Sequence, residues 1–186
     1  MALTQEQLDQ FRRDGFIIVE GIFDRGEVEE ANLEMEKIFY GSTFEEYMAR
    51  VDATGKAEPV EPRATSGTPH YGETDHGRAQ FPTGVKALDR LIENEDYLDM
   101  YTQVLGTQDI RYCNGHLFLR SGPTDKRHAD NPWQGYHIDN DTNSFFPPHP
   151  DLDVYNYVNS CIYLHDVEED AAPMQLIPGS HLQIGD

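Results

Sequence analysis

The chain has 186 residues and a mass of 21.2 kDa, the size of one domain whose folding would bury roughly 70% of the surface exposed by the unfolded chain. With 34 acidic against 14 basic residues, the formal charge is −20, a field that repels nucleic-acid phosphates and anionic lipid heads. No nucleic acid and no membrane is therefore expected as a partner, while a small anion stays admissible wherever a few basic side chains converge.

The opening "MALTQEQLDQFRRDGF" has neither the apolar core of a secretory signal nor an acid-poor transit pattern, so a cytoplasmic protein is expected. Thr4 and Gln7 form a capping-box pattern and Gly15 a stop, which predicts a helix over about 4–14. The apolar run "FIIV", residues 16–19, reads as a buried strand. Asp24 and Glu27 repeat the capping pattern, and Val28, Ala31, Met35, Ile38 and Phe39 recur at helical spacing, predicting a helix over about 25–40. From about 50 to 84 the text is polar and rich in Gly and Pro, a long loop in which His70 and His76 read as ordinary loop residues. A third helical pattern covers Val85 to Leu105 and ends at Gly106.

Beyond residue 106 short aromatic and β-branched runs alternate with turns. "DIRYCNGHLFLR" (109–120), "WQGYHID" (133–139), "YVNSCIYLH" (157–165) and "MQLI" (174–177) read as strands of a sandwich or barrel, with the helices of 1–106 packed outside. Cys113 and Cys161 fall within these runs and are expected as buried, reduced thiols. The basic triplet Lys126, Arg127 and His128 could attract an anionic group, though such triplets are usually solvated. Trp133 fits the wall of a pocket or simple packing, and the aromatic stretch 143–157 fits a loop over a pocket or over the outside of the barrel.

Within "GYHIDND", residues 135–141, His137 and Asp139 are two positions apart. In a strand that spacing puts both on one face, ~7 Å apart along the backbone, with Ile138 turned away. An imidazole and a carboxylate so placed, joined by a second imidazole, make the two-histidine, one-carboxylate triad of non-haem Fe(II), which leaves three adjacent coordination positions open. The spacing alone fits a polar loop as well.

Three stretches together carry a family resemblance: "LTQEQLDQFRRDGFIIVEGIF" near the start, "WQGYHID" in the middle and "LHDVEEDAAPMQLIPGSH" downstream. The chain resembles the phytanoyl-CoA dioxygenase family of Fe(II)/2-oxoglutarate-dependent oxygenases. The resemblance implies a mainly β fold with N-terminal helices, a double-stranded β-helix (jelly roll, cupin-like) of residues 107–186 completing a single domain over 1–186. It implies Fe(II) and 2-oxoglutarate as cofactors, with O2 and a small organic molecule as partners, and hydroxylation coupled to release of succinate and CO2. His137 and Asp139 match the family's proximal iron ligands and catalytic pair. The regions that hold 2-oxoglutarate in the family correspond to strands carrying Asn114, His116, Leu119 and Cys161 here. His181, in "IPGSH", matches a turn histidine and not a ligand.

Ala172 and Pro173 stand where many relatives have an Asn-Gly turn. The family's second iron histidine and its carboxylate-binding arginine lie beyond the P-G-S-H turn, so the resemblance implies a jelly roll incomplete at its C-terminus. His149, His165, His181 or a partner chain could supply the missing ligand, and an open sheet edge leaves room for a homo-oligomer. Two other readings stay open: a non-catalytic jelly-roll relative that binds a small molecule or a partner, and a sugar-binding or isomerising jelly roll with another divalent metal. The substrate is not encoded legibly, since the family acts on acyl-CoAs, free acids, amino acids and alkaloids; the charge of −20 disfavours a polyanionic acyl-CoA.

Overall fold

A computed structural model describes residues 2–56, 79–112, 115–117, 157–169 and 173–183. In chain order these residues form α1 (Gln5–Asp14), α2 (Arg25–Tyr40), α3 (Phe44–Thr54), β1 (Ala79–Gln80), α4 (Lys86–Ile92), α5 (Glu95–Leu105), β2 (His116–Leu117) and a 3-10 turn at Ser180–Gln183.

The helices start where side chains can replace missing backbone partners. Thr4, Asp24 and Thr43 cap α1, α2 and α3, each in a reciprocal capping box with Gln7, Glu27 and Glu46. The first two follow the sequence reading. Helix α3 does not, because the polar text from residue 50 onward masked a helix that begins earlier, at the Thr43-x-x-Glu46 box. The single helix expected over 85–105 is two helices. Asn94 breaks it, its side-chain oxygen accepting the Tyr97 N–H at 3.0 Å as the cap of α5. Helix α4 has no capping side chain at Val85. Instead Asp89, from within its first turn, accepts from the Thr83 N–H (2.6 Å), the Thr83 hydroxyl (2.8 Å) and the Gly84 N–H (2.9 Å). Thr83 is wholly buried, and these bonds satisfy its N–H and hydroxyl.

The core lies between α2 and α4. Ala31, Met35, Ile38 and Phe39 form one stripe of α2 and meet Leu88 and Leu91 of α4. Leu117 of β2 closes the cluster, and Phe23, Phe81, Val85, Ile162 and Leu164 pack against it. At the rim Arg90 of α4 pairs with Glu30 of α2 and approaches Glu27 at 3.9 Å. Arg50 of α3 donates to the Tyr40 carbonyl at the end of α2 (3.2 Å), fastening α3 to α2.

The mainly β jelly roll expected for 107–186 is not what the described residues form. Their only sheet is the antiparallel pair β1–β2, two residues each, with Ala79 opposite Leu117 and Gln80 opposite His116. Residues 16–19, 157–165 and 174–177 are in no strand. Apolar and β-branched residues favour extended backbone, but a strand exists only when a second backbone pairs with it, and that partner is not written into the local run. Ile18 is 78% exposed where a buried strand was expected. Cys161 is likewise exposed, against the expected burial, because the run that carries it is not enclosed between sheets. Among the described residues no helix is long and apolar enough to cross a membrane.

Candidate active site

Two joints tie segments far apart in the chain to the helices. The first unites the D-G-F and P-G-S-H turns. Helix α1 ends at Gly15, whose φ of 83° is left-handed and whose N–H donates to the Phe11 carbonyl at 2.8 Å. Gly179, also at positive φ (76°), donates its N–H to the Asp14 carbonyl at 2.9 Å. Two residues on, His181 Nε2 donates to the Arg12 carbonyl at 3.0 Å. Both bonds go to last-turn carbonyls that lack intrahelical partners. The imidazole lies against Gly15 so closely that a Cβ there would overlap the ring. His181 stands in a turn, as expected, and its docking on α1 is an addition that the sequence reading did not make.

The second joint fastens residues 157–165 to the helices. Ser160 accepts a hydrogen bond from the Tyr101 hydroxyl at 2.7 Å and shares a short one with the Tyr97 hydroxyl, both from α5. The two phenols are 3.3 Å apart, their rings meet edge to face, and Phe23 packs on Tyr97. Burial pushes the Tyr101 phenol well above the ordinary tyrosine range. Beyond Ser160 the side chains alternate: Ile162 and Leu164 pack on the core, while Cys161, Tyr163 and His165 are exposed. Partial burial, and then the neighbouring Cys161, raise the Tyr163 phenol. His165 donates through Nδ1 to the Asp166 carbonyl at 2.7 Å.

The remaining expected site residues are placed as follows. Cys161 stands on the outward face of 157–165. His116 lies in β2, opposite Gln80 of β1. His137, Asp139, Asn114 and Leu119 lie outside the described residues, as do His70, His76, His149, Trp133 and residues 126–128. Among the described residues no group of three or more His, Cys, Asp or Glu is placed to hold a metal ion. Both joints were missed from sequence: their partners are far apart in the chain, and the only local trace is the one-turn spacing of Tyr97 and Tyr101.

The family model described as phytanoyl-CoA dioxygenase (PhyH) matches residues 11–186, from the end of α1 through the P-G-S-H turn. The chain belongs to the phytanoyl-CoA dioxygenase family. No curated protein and no solved structure matches it. Members of the phytanoyl-CoA dioxygenase family are generally Fe(II)- and 2-oxoglutarate-dependent oxygenases acting on small molecules with O2, and the match takes in the D-G-F turn, the H-x-D pair and the P-G-S-H turn alike.

Proposed function

We propose that the protein is an Fe(II)/2-oxoglutarate-dependent oxygenase that hydroxylates a small organic molecule, with His137 and Asp139 as iron ligands and residues 1–186 as one domain. The observation that carries this reading is the family match over 11–186, within which His137-Ile138-Asp139 has the ligand spacing the chemistry needs. One imidazole nitrogen and one carboxylate oxygen suit a ferrous ion. His181 is a poorer candidate, since its Nε2 donates to the Arg12 carbonyl and its Nδ1 lies against Gly15. When bound, iron would couple the conversion of 2-oxoglutarate and O2 to succinate and CO2 with insertion of the second oxygen atom into a substrate C–H bond. The chain's own contribution is to fix the metal through His137 and Asp139 and to orient 2-oxoglutarate by the strands and segments carrying Asn114, His116, Leu119 and Cys161.

Anaerobic Fe(II) titration and release of CO2 from carboxyl-labelled 2-oxoglutarate test the proposal. The full-length protein should bind one Fe(II) and release CO2 when iron is supplied. His137→Ala and Asp139→Ala should each lower both signals to background. Undiminished CO2 release by His137→Ala would overturn the ligand assignment.

A further inference from the structure

Tyr97, Tyr101 and Ser160 form a cluster that the oxygenase chemistry does not itself require. Tyr97 is buried, Tyr101 is half-buried, and both hydroxyls reach one serine 63 and 59 residues away in the chain. A phenol contributes most of its packing through the ring, so phenylalanine would serve if packing were the whole purpose. Here both hydroxyls instead converge on a single Oγ, which fixes the position along the chain at which 157–165 meets α5. The setting matters because the next residues alternate: with Ser160 held on α5 and Ile162 and Leu164 on the core, Cys161 and Tyr163 are held outward. Exposure alternates residue by residue over 161–165, so a shift of one position would exchange the two faces.

We infer that Tyr97 and Tyr101, acting through Ser160, are positioning residues that set the register of 157–165 and so present the Cys161–Tyr163 face to 2-oxoglutarate. The inference rests on the proposed function for the identity of the co-substrate. The register itself rests on the hydrogen bonds and the alternation. Neither tyrosine touches the reacting atoms in this assignment; each acts only through the serine.

The test compares the full chain with the double variant Tyr97→Phe/Tyr101→Phe and with Ser160→Ala and Ser160→Thr. Two readouts are taken: the rate at which N-ethylmaleimide modifies Cys161, located by peptide mass mapping, and the KM and kcat for 2-oxoglutarate with Fe(II). Removing the phenols or the serine hydroxyl should change the Cys161 labelling rate and raise KM for 2-oxoglutarate about threefold to tenfold, the range that a lost hydrogen bond commands, with kcat largely kept. Ser160→Thr, which retains the hydroxyl, should restore both. Labelling and KM unchanged in the double variant would overturn the inference, and so would altered labelling with an unchanged KM. A full-length unvaried protein that binds Fe(II) and releases no CO2 would instead overturn the proposed function, an outcome separable from both.

Discussion

A methyl group added at Gly15 would overlap the His181 ring, and residue 15 also holds a φ of 83°, which costs an L-residue about 1–2 kcal/mol. Gly15→Ala should therefore destabilise the chain by more than the backbone cost alone, measured by urea unfolding. Combining it with His181→Ala removes the obstructing ring, so the double variant should be less destabilised than the sum of the two single ones. Simple additivity would mean that the turn shifts to accommodate the methyl group. At this scale the sequence was partly legible. Gly15 and Gly179 announce left-handed turns by their context, and both adopt them. What could not be read is that His181 seals one turn against the other, because no local pattern encodes a contact 169 residues away.

Caps decide the elements. Thr4-x-x-Gln7 and Asp24-x-x-Glu27 located α1 and α2 from sequence, and Thr43-x-x-Glu46 carries the same information for α3. Between 85 and 105 apolar periodicity overrode a capping signal: Leu88, Leu91, Leu98 and Leu105 suggest one continuous helix, yet Asn94 begins a new one. Replacing Asn94 by Ala removes the acceptor for the Tyr97 N–H and should lower stability by about 1 kcal/mol. Because Tyr97 then begins a less firmly held turn, hydrogen exchange at the Tyr97 amide should quicken more than at Leu88 in α4. The strands expected at 16–19, 157–165 and 174–177 failed for the opposite reason. Caps are local chemistry and can be read along the chain, whereas a strand is a relation between two segments. The H-x-D spacing, too, names ligand types but not what surrounds them.

Over the whole molecule, hydroxyl chemistry ties α5 to residues 157–160, and pH should reveal it. Burial raises the Tyr101 phenol above its ordinary 10.0, so above about pH 10 the unfolded chain releases this proton while the folded chain keeps it. The unfolded state then binds fewer protons, and the contribution of Tyr101 to stability, fully present below that pH, is lost as pH rises toward the raised value. Tyr40 and Tyr163, also raised by burial, act in the same direction. Urea midpoints should fall between pH 9 and 11, and Tyr101→Phe should make that fall shallower. An equally steep fall in the variant would show that Tyr101 ionises alike in both states.

The docking of the P-G-S-H turn on α1 bears on how the chain comes into being. Arg12 and His181 close a loop of 169 positions, whose entropic cost of about 4–5 kcal/mol exceeds what two hydrogen bonds of about 0.5–1.5 kcal/mol each return. The clasp must therefore form on an already collapsed core, late in folding. During synthesis at roughly 5–20 residues per second, α1 leaves the ribosome some 10–30 s before its partner turn has been made. Throughout that interval the last-turn carbonyls of α1 have only water to bond, as at the free end of any helix, and the turn carrying Gly179 and His181 replaces that water only once the core has formed.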